Sequence, residues 1–372
     1  MKIAQVSTCY RPVIGGQEVY IKNLNGILSA AGHDSVVYQL HRGEKGPDVV
    51  GYPRIFGAAR FIPGFENRWL NACVGVLRPR RLFHADAVIS HYAIQARPLA
   101  SVCKKTIILS HGVEWNVESQ RSFDRLREEN ARWCLSRFPH VVNDTHYLRH
   151  LGIEAEPAKG YFTEIRPGKW FIPNCVDTAH FSPGAGLPEY IGKKMVLVPR
   201  QMVEDRGIHL AIEAFALLAK DDSQVEMCLL GKRWNGASAY LQRLDTMIKD
   251  FKLQGRVYFR DPVSNFDMPP WYRSAWVTLI PTLRREGTSL SALESMSCGI
   301  ATVSTNVVGL ADLPTLQCEP NADALAQSLK DALRERELIG QDQRKIVAEV
   351  FNMQNWGQSW LAVLAQAARS NY

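Results

Sequence analysis

Two glutamates with seven residues between them, Glu286 and Glu294, frame the stretch REGTSLSALESMSCG. Gly287-Thr288-Ser289 reads as a polar entry to a helix. Leu290, Leu293 and Met296 read as its buried stripe, and Gly299 as its stop. Glu294 then falls inside the helix and Glu286 before its first turn. Such a turn offers free backbone N–H groups and the positive end of the helix dipole, which suit a phosphate. Carboxylates beside it cannot bind that phosphate. They suit the hydroxyls of whatever the phosphate carries.

Other residues could serve the same ligand. Arg200 and Arg206 bracket an acidic pair in RQMVEDRG, after an apparent strand. Guanidinium forks match phosphate oxygens, and a loop salt-bridged to Glu204 and Asp205 explains them equally well. Gly15-Gly16 sits just before a helix, where backbone can approach a ligand closely. The dinucleotide fingerprint G-x-G-x-x-G is missing there, which argues against a nicotinamide enzyme. His111-Gly112 ends another strand, although a single histidine is more often packed or exposed than catalytic. Glu114 and Trp115 follow it, and a packed indole is the simpler reading of the latter.

The elements that must position these residues alternate strand and helix. Strands are expected at 2–7, 35–40, 86–92, 106–111, 140–144 and 169–174 in a first half. After a Pro/Gly-rich stretch the pattern restarts with strands at 195–200, 225–231, 257–259, 276–281 and 301–305, and a strong amphipathic helix at 207–220. This alternation implies parallel sheets covered by helices on both faces, an α/β class of two tandem Rossmann-like, doubly wound domains with an interdomain cleft. The expected boundaries are 1–177 for the acceptor-side domain, 178–193 for a linker and 194–354 for the donor domain. A helix at 355–372 is expected to pack back on the first domain.

Composition supports this scale. A chain of 372 residues, 46% hydrophobic and 22% charged, can bury two cores. No apolar run is long enough for a membrane span, and the N-terminus reads as a strand, not a signal peptide. Eight scattered cysteines without a ligand-like spacing imply free thiols in a reducing cytoplasm. Net charge is +7, with six arginines and one acid between 54 and 81, interleaved with Phe56, Phe61, Phe65 and Trp69. That stretch reads either as a solvated basic face or as a contact with an anionic membrane surface. Nucleic acid is not expected, because no recognition motif accompanies the charge.

Taken together, PVIGGQE, SHGV, IPNCVD, Arg200 with Arg206, and the Glu286/Glu294 helix resemble the E-x7-E retaining glycosyltransferases of family 4, which have the GT-B fold. The resemblance runs in order along nearly the whole chain. It implies transfer of a sugar from a nucleotide-diphosphate-sugar donor to a hydroxyl acceptor, with retention and without a cofactor. It implies that Glu286 holds donor-sugar hydroxyls, that Gly287, Thr288 and Ser289 meet the diphosphate or sugar, and that Glu294 holds the ribose. Arg200 and Arg206 would neutralise the diphosphate, Gly15 and Gly16 would approach it, and His111 would lie beside the transferred sugar or acceptor. No metal is expected, since the chain has no D-x-D triplet. Arg206 stands where the family has lysine, Cys175 where it often has glycine, and Arg260 where a glycine usually follows the strand. A lipid-linked or surface-polysaccharide acceptor would fit the 54–81 stretch, with the protein peripheral at the cytoplasmic face of the membrane. A soluble natural-product acceptor, a nucleotide-sugar 2-epimerase and a non-catalytic nucleotide-sugar-binding scaffold remain open alternatives.

Overall fold

The apolar runs of the sequence become parallel strands buried along their length. The computed structural model describes residues 1–372 except 14, 40–45, 52–83, 94–95, 97–98, 100–104, 114, 116–121, 157–162, 234–237 and 370–372. The Arg/aromatic stretch 54–81 and Glu114 therefore lie outside the described residues. The chain forms two units, one containing Met1–Glu156, Tyr161–Pro173 and Gln354–Tyr372, the other containing Asn174–Met353. The division thus falls a few residues before 177. The stretch 178–193, expected as a linker, is part of the second unit.

In the first unit the strands are β1 (Lys2–Ser7), β2 (Asp34–Gln39), β3 (Val49–Gly51), β4 (Ala87–Ser90), β5 (Thr106–Ser110), β6 (His140–Val142), β7 (Thr163–Arg166) and β8 (Lys169–Phe171). Their order is β3-β2-β1-β4-β5-β6-β8-β7, parallel except for β7, which runs antiparallel to β8. Inner strands such as β4 and β5 are buried at every position, as a sheet covered on both faces requires. The C-terminal helix Met353–Arg369 belongs here. Its Trp356 and Trp360 are fully buried, and Trp360 Nε1 donates to Tyr20 Oη at 2.8 Å. Gly357 lets this helix approach closely, because a Cβ there would stand 2.9 Å from Ile27 Cδ1.

The second unit has β9 (Lys194–Pro199), β10 (Val225–Leu230), β11 (Val257–Arg260), β12 (Val277–Ile280), β13 (Ala301–Thr305) and β14 (Leu316–Cys318), all parallel, in the order β11-β10-β9-β12-β13-β14. Alternate residues of β9 feed two cores. Val196 and Val198 pack with Phe215 and Leu218 of the helix Ile208–Asp221. Met195 and Leu197 pack with Tyr272, Leu293 and Met296 on the other face. The helix Leu290–Ser297 differs from the single apolar stripe expected of it. Residues Ala292 to Ser297 are all buried, while Leu290 is only half-buried. Sheet β12–β13 and the helix Arg336–Val350 enclose it, so even its polar positions lie inside. The strand order reverses between β9 and β12. A doubly wound sheet opens a ligand crevice beyond the strand ends at that point.

Candidate active site

Arg200 leaves the end of β9, and the loop from Pro281 to Glu286 leaves the end of β12, so the switch point brings them together. Two glycines make this approach possible. Gly231, after β10, leaves room for the Arg200 carbonyl, which a Cβ would meet at 2.1 Å. Gly207 has φ 67° and lies against the Pro281 carbonyl, which a Cβ would meet at 1.8 Å. Any side chain at Gly207 would push the Glu204–Arg206 turn away from β12. The two loops are then laced together. Leu283 N donates to Asp205 O at 2.9 Å, Arg285 pairs with Asp205 at 2.7 Å, and Arg206 Nη1 donates to Arg285 O at 3.1 Å.

Both arginines converge on Glu286 and not on their sequence neighbours. Arg200 Nη2 reaches Glu286 Oε2 at 2.5 Å and Thr282 Oγ1 at 2.6 Å, and its Nη1 lies 3.4 Å from Ser289 Oγ. Arg206 pairs with the same carboxylate oxygen. Of the acids between them, Glu204 meets Arg243 at 3.6 Å and Asp205 meets Arg285. The alternative of a loop salt-bridged within itself is thereby replaced by a three-residue charge cluster. Burial pulls Arg200 down to about 10. Burial and then the neighbouring Arg200 charge pull Arg206 down to about 9. Both stay cationic at neutral pH. The cluster holds two cations against one anion, so it retains a net positive charge suited to a phosphate.

The helix Leu290–Ser297 begins at this cluster, with Ser289 as its N-cap. The Ser289 hydroxyl makes no capping bond. Thr288 serves another purpose. Its Oγ1 accepts from Asn174 N at 2.7 Å, and its carbonyl accepts from Asn174 Nδ2, so it anchors the IPNCVD segment. Gly287 packs against Gly309, where a Cβ would stand 2.3 Å from the Gly287 carbonyl carbon. Gly309 N also donates to Glu286 O at 3.0 Å. Two non-glycine residues with positive φ flank this contact, Arg285 at 54° and the β-branched Val308 at 46°. Left-handed backbone at such residues costs of order 1–3 kcal/mol each, and it concentrates at functional sites.

Glu294 lies one helical turn further in, with only 5% of its surface exposed. Its Oε1 accepts from Asn265 Nδ2 at 2.6 Å and its Oε2 from Tyr272 Oη at 2.7 Å. Burial raises its pKa, and the two hydrogen bonds oppose that rise. Each oxygen keeps a second lone pair for a ligand hydroxyl. Beside this region Arg260 caps an aromatic group. Its Nε lies 3.1 Å from Tyr190 Oη and its guanidinium 4.7 Å from the centre of the Tyr258 ring. Cys175 is buried, with Sγ 3.3 Å from Met353 Sδ.

The first-unit candidates sit elsewhere in their own sheet. Gly15 is the N-cap of the helix Gly16–Ala30, and its N–H donates to Glu18 Oε2 at 2.9 Å. That carboxylate repels a phosphate unless it moves. His111 follows β5, and its Nε2 lies 3.0 Å from Nδ1 of His91, which follows β4. Burial lowers His111 to about 3, so the ring is neutral at ordinary pH. Trp115 is packed against Tyr147, with Nε1 3.3 Å from His150 Nε2.

Sequence reasoning missed Thr282, Asn265, Tyr272, Gly309 and His91. None carries a local signal. Each is defined by a partner distant in sequence. Among the described residues no cluster of His, Cys, Asp and Glu could hold a metal, and no helix is long and apolar enough to cross a membrane.

Residues 186–348 match the family described as glycosyl transferases group 1. A D-inositol 3-phosphate glycosyltransferase from Paenarthrobacter aurescens is 36% identical over 107 residues, 28% of this chain and 25% of that protein. The match thus spans about a quarter of that relative's length. Among solved structures, a sucrose-phosphate synthase from Thermosynechococcus elongatus superposes with TM-score 0.80 at 19% identity, covering 98% of each chain. Anabaena HepE in complex with UDP superposes with TM-score 0.74 at 15% identity, over 98% of this chain and 100% of that one. The family match and the curated relative support a glycosyltransferase assignment, and the solved structures show the GT-B fold.

Proposed function

We propose that this chain is a retaining glycosyltransferase of the E-x7-E group, family 4, that moves a sugar from a nucleotide-diphosphate donor to a hydroxyl acceptor. The observation that carries the reading is the convergence of Arg200 and Arg206 on Glu286 at the amino end of the helix Leu290–Ser297. A diphosphate entering there is the stronger partner for two guanidinium groups. It takes over their hydrogen bonds and frees Glu286 for the hydroxyls of the attached sugar. Glu294, further along the same helix, takes the ribose. The two acids thus hold two sugars on either side of one diphosphate. UDP bound to HepE is consistent with such a donor.

As the glycosidic bond breaks, negative charge grows on the departing phosphate oxygen and the sugar becomes oxocarbenium-like. Fixed cations aimed at that oxygen stabilise the transition state more than the ground state. Arg200, held by Thr282, is the best fixed of them. Two guanidinium groups and a helix terminus supply the compensation that a divalent cation gives in other transferases, so the reaction is proposed to run without metal. Glu286, once freed, is taken up by the donor-sugar hydroxyls and is assigned neither as nucleophile nor as base. The acceptor proton goes to the departing phosphate oxygen on the same face, which gives retention. Glu18 must swing off the Gly15 N–H before that turn can offer its backbone to a phosphate oxygen.

The acceptor is proposed to be lipid-linked, such as a surface-polysaccharide intermediate at the cytoplasmic side of a membrane. This rests on the 54–81 stretch of the sequence. Flotation with liposomes containing anionic lipid tests it, and equal flotation with neutral lipid would count against it. The reaction is tested by screening UDP-, GDP- and ADP-sugars for thermal stabilisation and slow release of nucleoside diphosphate, in excess chelator. One donor should stabilise the protein and be turned over. Binding without turnover across a broad acceptor panel would favour a scaffold, and isomerisation of the donor alone would favour an epimerase.

A further inference from the structure

The histidine pair of the first unit ends a chain of hydrogen bonds whose direction is fixed from its far end. Asp48 is a carboxylate paired with Arg11 at 2.8 Å, and it can only accept. Tyr10 Oη donates to it at 2.9 Å, which uses the single phenolic proton. Burial chiefly, with a contribution from Asp48, raises the Tyr10 phenol above its ordinary pKa, so the proton stays. Tyr10 Oη must then accept from its other neighbour, Asn25 Nδ2 at 3.4 Å. That turns Asn25 Oδ1 toward Gln5 Nε2 at 2.6 Å and Ser35 Oγ at 2.8 Å, both donors to it. Gln5 therefore presents its oxygen to His91 Nε2 at 2.9 Å.

The rest follows by elimination. His91 Nε2 faces an acceptor and carries the proton. Burial, and then the proximity of His111, pushes its pKa well below the ordinary value, so the ring is neutral and its Nδ1 is bare. His111 Nε2, 3.0 Å from that bare nitrogen and in a ring tilted only 11° from it, must donate. Reversing the chain would set oxygen against oxygen between Asn25 and Tyr10, or break the bond to Asp48. From this geometry we propose that Gln5 and His91 are positioning residues that hold His111 as its Nε2–H tautomer, leaving the Nδ1 lone pair as the acceptor for a substrate hydroxyl. Nδ1 of the half-buried His111 ring takes no partner among the described residues. Tyr20, held by Trp360, packs edge-on against the ring with centroids 5.0 Å apart and keeps it from turning.

The tautomer itself does not depend on turnover. Only the role of the Nδ1 lone pair rests on the transferase reading. Long-range 1H–15N correlation spectra of 15N-histidine-labelled protein, assigned by difference from His111→Gln, read the protonated nitrogen directly. The native protein should show His111 with Nε2 protonated and Nδ1 bare. Gln5→Leu should lose that single pattern to a mixture of tautomers and slow donor turnover. Gln5→Glu keeps an oxygen facing His91, although its second oxygen opposes Asn25 Oδ1, and should retain the Nε2–H pattern. A proton on Nδ1 of His111 in the native protein would overturn the proposal even if Gln5→Leu fails to fold. So would a Nε2–H pattern unchanged in Gln5→Leu. Should no nucleotide sugar be turned over at all, the spectra still decide the tautomer, so that failure falls on the transferase reading.

Discussion

Arg200→Ala is the perturbation whose consequence the structure fixes best. The guanidinium is 8% exposed and bonds Thr282, Glu286 and Ser289 from its two terminal nitrogens. If those nitrogens meet the departing phosphate oxygen, their loss removes one preorganised donor, worth about 3 kcal/mol of transition-state stabilisation. At 1.36 kcal/mol per decade this slows turnover by somewhat over 100-fold. The stability cost is smaller than for a fully broken buried pair, because Glu286 keeps Arg206, and about 1–3 kcal/mol is expected. The assay is release of nucleoside diphosphate from the donor identified by the screen, with thermal melting and far-UV circular dichroism to show that the variant is folded. Arg200→Lys keeps the charge but lacks the fork that serves Thr282 and the phosphate together, so it should regain only part of the rate. A folded Arg200→Ala variant that turns over within about threefold of the native rate would show that the interaction is worth less than 1 kcal/mol in the transition state, and would remove Arg200 from the mechanism.

Three further outcomes are expected. Glu294→Ala should raise the donor KM more than it lowers kcat, since the ribose is remote from the breaking bond; an unchanged donor KM would refute the placement. Burial holds Glu294 above its unfolded value of 4.5, so the folded state binds more protons there and loses stability as pH rises from about 4.5 through the raised value. Glu294→Gln lacks this titration, and its stability relative to the native protein should therefore improve with rising pH in that window; a difference independent of pH would contradict the assignment. Gly309→Ala places a methyl group 2.3 Å from the Gly287 backbone. It should destabilise by about 1–3 kcal/mol and impair donor binding together, whereas a native melting temperature would show that the contact can relax.

The inner sheet strands were legible because a doubly covered parallel sheet turns them into continuous apolar runs, as in MVLVP and TIILS. Strands β3, β7 and β14 were not. Each is three or four residues long at or near a sheet edge, and β7 is largely exposed, so no apolar run marks it. The Glu286/Glu294 helix was legible in position but not in burial, since only the tertiary setting encloses Ser295 and Ser297. The arginines were legible as a cationic pair beyond a strand end, yet their partner was not. Arg200 and Glu286 lie 86 residues apart, and only the reversal of strand order between β9 and β12 joins them. The histidine at 111 was visible at a strand end. The neighbour that orients it, His91, was hidden for the same reason, because β4 and β5 become adjacent only in the sheet.

A crystal of the protein soaked with UDP bears most directly on the donor site. The pyrophosphate should lie at the amino end of the helix Leu290–Ser297, bonded to the Arg200 and Arg206 guanidinium groups, with both of their pairs to Glu286 opened. A nucleotide bound elsewhere, with both arginines still on Glu286, would contradict the account.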